Sequence, residues 1–560
     1  MKQLLYGLLL CMLLVFAGWI ADAQDISQVA NQKPVVINGT FGFGIGTYTA
    51  SGIENRERNF SYLISGSPVL TLYGISFPFS VVVSDQQRGF RQPFNQYGIS
   101  PQYKWLTLHI GWQSITWSPF TMAGYNFLGG GVEANPGKLR MGFVYGRFNK
   151  AINAATTGAL DFETPAYKRT GYAARLGYGS EANHLDLTFL NARDDPKSID
   201  NPLLLSDLHP AGNIVLGLGG KFAIRKHFVF DFDVAASLYT RDRLNDTLQD
   251  LQFEHADFIK SLIILNLSTQ FLTAAQSGLS YQNSSYHVGL QYKRVDPDFK
   301  SMGAYYFETD VANYTIQGGI NLFKNAMQLN GSIGLQNDNL LNDKPYTSHR
   351  NISSLSVSYN KPAFGADLRF ANYGITQDRG LNPVVDTFRV ARTNYNINAM
   401  VRYTKSDSLV SQNIILACNM QSLVDLNHFT SGQDQTNSKT LNLSYQLGFN
   451  KSMFSFNTNF NYTVADIIMM HTIFFGPSFG ISKQLDKNKL MLNAAFAYQL
   501  QHNNGENSGS IINGSLNGSY RLGKREGINL SVSYLKSDSK DITLPSFDEV
   551  RSSLTFTHTF

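Results

Sequence analysis

Few residues of this chain invite a chemical reading, and each depends on the element that holds it. Gly476-Pro477-Ser478-Phe479-Gly480 matches the G-x-S-x-G pattern of a nucleophile elbow, with His471 close by in sequence. A working elbow needs a strand, a sharp turn and a helix, so that the serine hydroxyl stands clear of the sheet. Here the motif sits inside an alternating stretch that puts Phe475, Phe479 and Ile481 on one face and Ser478 on the other. The expectation is an ordinary strand serine. Gly131 to Lys138 imitates a phosphate loop, but its spacing is off by one, and Leu139 stands where a magnesium-holding hydroxyl belongs. The 11 His are scattered, without an H-E-x-x-H and without a pair at ligand spacing on one strand. No metal and no cofactor is expected. His184 and Asp186 share a strand face and read as a hydrogen-bonded wall pair. Gly42, Gly44 and Gly46 alternate with Phe41, Phe43 and Ile45, and no helix follows as a dinucleotide site requires. Such glycines mark bending or the close approach of another backbone.

Two connecting stretches mix charge with aromatics. One is 84–101, with Arg88, Phe90, Arg91, Phe94 and Tyr97; the other is 294–312, with Asp296, Asp298, Tyr305, Tyr306 and Phe307. Both are candidates for a constriction or for docking a partner; ordinary outer loops are the alternative.

The elements that would position these residues are strands almost throughout. In the last segment Val550, Leu554, Phe556 and Phe560 share one face, and Ser553, Thr555 and Thr557 the other. The same period of two runs through Ile528 to Tyr534, Leu490 to Leu500 and Leu441 to Phe449. Such alternation means strands with one apolar and one polar face, and segments of about ten residues fit a tilted membrane strand. Short turns, as at Asn135-Pro136-Gly137, Arg225-Lys226 and Asn450-Lys451, alternate with longer polar connections. The expected long ones are 148–169, 192–211, 240–258, 294–312, 337–350, 374–389, 420–439, 464–472, 502–510 and 537–548. Long loops at one end and tight turns at the other are the asymmetry of an outer-membrane barrel.

The expected fold is therefore all-β: a single transmembrane antiparallel up-and-down barrel of about 26 strands, with 24 or 22 as alternatives. The N-terminal part reads as strands at 36–48, 60–73 and 75–83, a loop at 84–101, and a short pair near 102–117. Parity assigns Phe228, Phe230, Phe232, Val234 and Leu238 to lipid, and His227, Asp231 and Asp233 to the lumen. Tyr395, Ile397, Val401 and Tyr403 oppose Asn394, Asn396, Asn398 and Arg402, and Ser455, Asn457, Asn459 and Asn461 form another lumen row.

Composition and the first residues agree with export. Charged residues make up 16% of the 560, below the roughly 25% of soluble domains. A net charge of +5 with no basic, aromatic-interleaved cluster gives no case for nucleic acid. Lys2, the apolar run Leu4 to Ile20 and Ala21-Asp22-Ala23 read as a signal peptide over 1–23, leaving Gln24 first. The expected layout is that signal, a short periplasmic segment at 24–35 and a barrel over 36–560. After cleavage only Cys418 remains, so no internal disulfide is expected.

Leu554, Phe556 and the terminal Phe560 resemble the C-terminal signal read by the barrel-assembly machinery. The run from Tyr97 to Asn149, containing "SPFTMAGYNFLGGGVEANPGKLRMGFVYGRFN", resembles a family of large outer-membrane barrels of Bacteroidota, as does "YKRVDPDFKSMGAYYFETD" at 292–310. The resemblance implies location and architecture and carries no catalytic residue. The functional expectation is a non-enzymatic, pore-like or scaffold barrel, with a component of a secretion or surface-assembly complex as the alternative. An energised nutrient transporter needs a large N-terminal plug, and only Gln24 to Val35 precede the first strand; a barrel hydrolase lacks a constellation. The expected partners are outer-membrane lipid, the assembly machinery during biogenesis, and a lumen plug or secretion partner.

Overall fold

The computed structural model describes residues 35–72, 75–84, 96–153, 165–200, 208–245, 262–305, 308–379, 389–427, 429–430, 435–467, 470–541 and 544–560. The expected signal at 1–23 and the segment that follows it, up to residue 34, lie outside them. So do Arg88, Phe90, Arg91, Phe94, Tyr306 and Phe307.

Every named element is a strand, and all 30 belong to one sheet. The first seven are short or interrupted: β1 (Val35–Asn38), β2 (Thr40–Ser51), β3 (Phe60–Gly66), β4 (Val69–Leu72), β5 (Ile75–Ser84), β6 (Gln96–Ile99) and β7 (Gln102–Tyr103). Next come β8 (Leu106–Thr116), β9 (Met122–Ala134), β10 (Leu139–Asn149), β11 (Arg169–Gly179), β12 (Asn183–Asp194) and β13 (Gly212–Ile224). They continue as β14 (Phe228–Thr240), β15 (Thr269–Gln282), β16 (Tyr286–Val295), β17 (Gly303–Ala304), β18 (Val311–Leu322) and β19 (Met327–Asn337). The longest follow: β20 (Tyr346–Asn360), β21 (Phe364–Arg379), β22 (Ala391–Ser406), β23 (Val410–Asp425), β24 (Thr436–Phe449) and β25 (Phe454–Ile467). The last are β26 (Met470–Leu485), β27 (Leu490–Asn503), β28 (Glu506–Arg521), β29 (Glu526–Ser539) and β30 (Phe547–Thr559).

From β8 to β30 successive wall strands pair antiparallel, with β16 passing directly to β18. Among the first strands β1 pairs with β4, β2 with β3, and β5 with both β3 and β4. β2 also pairs with β30 from Thr40↔Thr559 to Ser51↔Asp548, which closes the sheet. Closure removes both edges, so wall backbone groups bond to wall backbone groups. Turns such as 180–182, 225–227, 361–363 and 407–409 lie at one end, together with Val35 and Phe560, whose N–H donates to Gly39 O.

The count exceeds the expected 26, and the causes are local. Gly39, at φ 114°, separates β1 from β2. A Cβ there would lie 2.4 Å from Ser67 O. Ser67-Pro68 opposite separates β3 from β4, and proline has no N–H for the ladder. Ser100-Pro101 divides β6 from β7 in the same way. The fourth extra strand, β17, lies off the wall and pairs in parallel with β9.

Other boundaries also differ from expectation. Stretch 84–101 is not all loop, because β6 pairs with β5 and β8. The short pair near 102–117 is instead the two-residue β7 and the full-length β8. β25 runs to Ile467 and β26 starts at Met470, inside the outer connection expected at 464–472, and the one expected at 502–510 shrinks to Asn504-Gly505. Asn504 and Gly505 have φ of 51° and 88°, the geometry of a two-residue primed hairpin turn. Polar residues there belong to the strands themselves, which reach 16 residues in β26 and β28.

The outward face is apolar. Phe143, Tyr145, Leu176, Leu216, Phe460, Phe496 and Leu516 are all exposed there. The buried apolar cluster lies instead on the lumen side of one part of the barrel, from β8 to β18.

Candidate functional site

The inward rows of β8–β18 are built to receive something. On β9–β13 they carry Phe127, Val144, Ala173, Leu190 and Val215, all buried. Between them stand small residues. A Cβ at Gly142 would lie 2.5 Å from the Trp117 ring, and one at Gly217 would lie 2.4 Å from Thr121 Oγ1. The glycines leave room for an inserted segment.

That segment is 117–121, the connection between β8 and β9. Trp117 N–H and Ser118 N–H both donate to Met122 O, which folds the connection back on itself. Pro119 fits such a turn. Phe120, Thr121 and Met122 are buried. Thr188 Oγ1 donates to Thr121 Oγ1 at 3.0 Å, and Ser118 Oγ donates to Asp233 Oδ1 at 2.7 Å.

A second insertion, 296–305, meets the first. Asp296 accepts from Thr273 N–H at 2.8 Å and from Thr273 Oγ1 at 2.6 Å, which anchors the segment to β15. Asp298 turns the chain at φ 58°, with Arg241 at 3.9 Å. Phe299 is buried and meets Phe120 edge-on at 6.0 Å. Ser301 Oγ donates to Thr121 O at 2.6 Å, and Met302 N–H donates to Asn213 Oδ1 at 2.9 Å. Tyr305 stacks on Tyr125 at 4.5 Å, and its hydroxyl accepts from Asn126 N–H. Of the residues marked in the sequence, Asp296, Asp298 and Tyr305 thus belong to one lumen insertion. Each buried Phe or Met adds about 1.5–3 kcal/mol over an exposed one, so the two insertions hold each other firmly.

Around this apolar contact runs a polar belt. Glu133 accepts from Trp117 Nε1 at 2.8 Å and from Arg175 at 3.2 Å, and lies 3.1 Å from His109 Nε2. Arg140 grips Asp186 with two bonds of 2.9 and 2.8 Å, and Arg169 grips Asp194 the same way. Such bidentate pairs fix geometry as well as charge. His184 and Asp186 are not the expected mutual pair: His184 Nδ1 lies 3.0 Å from Ser180 O, while Asp186 belongs to Arg140.

The opposite wall is different. Register places Asn442, Asn459, Ser478, Ala497, Asn513 and Ser533 on inward rows of β24–β29. Asn459 Nδ2 donates to Ser478 Oγ at 3.1 Å. His471 pairs with Asp466, roughly 23 Å further along the strands at about 3.3 Å per residue. Ser478 therefore has no base beside it. A cavity of about 330 Å³ adjoins Asn457, Asn459, Ser478, Asn513 and Ser515 and reaches Glu549 and Arg551.

Leu554 points outward and is exposed; Phe556, on the same face, pairs in register with Ile528 and Phe43. Phe560 lies against the His558 ring at 4.7 Å. Sequence reasoning missed Trp117, Ser118, Phe120, His109, Glu133 and Arg175. A signal was present: Trp117-Ser118-Pro119-Phe120 puts two large aromatics around a proline in a connection that water alone would not favour.

No protein-family model matches the chain. No curated protein matches it. Solved structures do. The translocation pore of the P pilus usher PapC aligns at 8% identity and a TM-score of 0.40, over 94% of this chain and 99% of that one. A mutant of the ferric enterobactin receptor PfeA of Pseudomonas aeruginosa aligns at 11% and 0.37, over 93% and 80%. Pseudomonas aeruginosa OpdK, solved with vanillate, aligns at 9% and 0.31, over 63% and 94%.

Proposed function

We propose that this chain is an integral outer-membrane β-barrel acting as a passive, partly plugged pore without catalysis. The observation that carries this reading is the division of the lumen. Two insertions, 117–121 and 296–305, pack on the β8–β18 side, while the β24–β29 side presents amides and hydroxyls. A closed sheet of this many strands, spaced about 4.8 Å and tilted about 40°, is roughly 50 Å across. Among the described residues, insertions of this length narrow such a lumen without filling it. The apolar outward face fits hydrocarbon, where Lys or Arg at mid-depth costs about 2–4 kcal/mol.

Single-channel recording on purified, heat-modifiable protein in planar bilayers tests this. A stable conductance is expected, larger when Trp117, Phe120, Phe299 and Met302 are replaced by Ser. A silent barrel that co-purifies with a stable partner from native outer membrane would overturn the pore in favour of a scaffold or a secretion component.

A further inference from the structure

We propose that the open side of the lumen carries uncharged, hydroxyl-rich solutes, of which short neutral oligosaccharides are the chemical class, and that the pore barely discriminates between cations and anions. The proposal rests on the pore reading above and names its cargo.

The first observation is the chemistry of the open wall. Pairing registers place one row of each strand from β24 to β29 on the lumen. Those rows read Thr440-Asn442-Ser444-Gln446, Asn457-Asn459-Asn461 and Asn513-Ser515-Asn517, with similar rows between. The ionisable side chains on them, among the described residues, stand at the two ends: Arg521 at the short-turn end, and Glu506 at the other, where a bulge sets it opposite Asn503. A wall of six adjacent strands thus has no charge along its middle.

The second observation concerns the charges that the lumen does hold. They lie on the plugged side, at the β2–β30 seam, and on β21–β22, where Asp367, Arg369 and Arg402 mix both signs on neighbouring inward rows; the strongest are matched. Arg140 holds Asp186, Arg169 holds Asp194, and Arg175 holds Glu133. At the seam, buried Glu549 meets Arg551 at 3.2 Å and Arg56 at 3.3 Å. Ion selectivity in a pore needs a ring of unmatched charge. Across a lumen of roughly 50 Å, fields from one wall are screened within about 8 Å at physiological salt.

The third observation is how the wall groups are used. Asn459 donates to Ser478, Ser531 donates to Asn517, and Thr440 and Thr463 share a bond. Lateral bonds of this kind hold the side chains along the wall. An amide has two donors and two acceptor sites, so each keeps capacity toward the lumen. Solute hydroxyls, which also donate and accept, can exchange with water there at little cost. An apolar solute would strip the amides of partners, at about 1–3 kcal/mol for each group left unmade. A charged solute finds no counter-charge along the middle of this wall.

The experiment uses the full-length protein in planar bilayers under a KCl gradient, with maltotriose as the neutral probe and gluconate as a charged comparison. The expected cation-to-anion permeability ratio lies within about twofold of unity. Maltotriose should lower the open-state current saturably, and gluconate should not do so beyond its effect on conductivity. Replacing Asn459, Asn493 and Asn517 together by Asp should make the pore cation-selective by about fivefold or more and weaken the maltotriose effect. Heat-modifiable migration of that variant confirms folding; if it fails to fold, Asn459→Asp alone is read for the same direction of change. A conducting wild type with strong ion selectivity, or one indifferent to maltotriose, overturns this inference and leaves the pore reading standing. A folded barrel with no conductance overturns both.

Discussion

The Trp117 indole occupies the space that Gly142 leaves on the lumen face of β10: a Cβ at Gly142 would lie 2.5 Å from Trp117 Cζ2. The ring is then fixed by its N–H bond to Glu133 and by the Arg175 guanidinium 5.6 Å above it. One missing side chain on the wall thus decides whether the first insertion can seat.

Gly142→Ala should therefore dislodge Trp117 and loosen the 117–121 insertion. Overpacking of this kind costs about 1–3 kcal/mol. The variant should unfold at lower temperature and give noisier, larger single-channel currents. Gly130→Ala is the control, since the nearest atom to its Cβ would be His109 O at 3.5 Å. Equal behaviour of the two variants would mean that Trp117 can move aside freely.

Adjacent residues on β25 test the assignment of faces. Asn459 bonds to Ser478 on the lumen row, while Phe460 is exposed on the outward face. Asn459→Lys should leave the folded fraction nearly unchanged, because lumen water hydrates the new charge. Phe460→Lys should lose most of it, at about 2–4 kcal/mol near mid-depth. Heat-modifiable migration after refolding into liposomes reads both. The reverse outcome would require a one-residue slip in register.

Acid should release the 338–345 connection. Burial of the Asp310 carboxyl would raise its pKa, but bonds from Lys344 and from Leu340 and Asn339 N–H outweigh that and hold it below the ordinary 3.8. Lys344 is raised in turn, chiefly by its bond to Asp310. A lowered folded pKa contributes stability that is fully present above the unfolded value and is lost as pH falls through the folded value. Hydrogen exchange at Asn339 and Leu340 should be slow from neutral pH down to about 4, after correction for intrinsic rates, and quicken below it. Asp310→Asn should quicken it at neutral pH and flatten the acid response. A wild type with no acid response would show that other contacts hold the connection.

Closure of the barrel should depend on Phe560. Phe560 N–H donates to Gly39 O beside the β2–β30 seam, and its ring meets His558. Phe560→Asp should cut outer-membrane levels by several-fold, measured by immunoblot of membrane fractions, while the total amount synthesised stays the same. Unchanged levels would make the residue incidental to assembly.

Much of the architecture was legible because strand alternation is local. Whether Phe460 or Asn459 faces hydrocarbon follows from their adjacency and from the cost of polar groups in lipid, with no reference to distant residues. The turns at 225–227 and 450–453 were equally visible. Boundaries were less so: polar residues around 464–472 and 502–510 read as loop, yet described ones among them form the ends of β25–β28, because a strand that continues past the apolar outward belt has no need of apolar residues there. The breaks at Gly39, Ser67-Pro68 and Ser100-Pro101 were also missed. A glycine or a proline permits a break, and only the neighbouring strand decides whether the wall needs one.

From sequence alone came the barrel, its two faces, the neutral lumen rows and the place of Asp296, Asp298 and Tyr305 in a distinctive connection. The tertiary structure decided that this connection folds inward and that 117–121 meets it. Ser301 and Thr121 are 180 positions apart, and no periodicity links them. They meet because the strands between curve round the lumen and return 296–305 to the inner side of β9. There, small wall residues and two buried phenylalanines make a dry contact that neither segment has alone. Alternation records what one residue sees beside it; the inserted contact depends on the curvature of the whole wall.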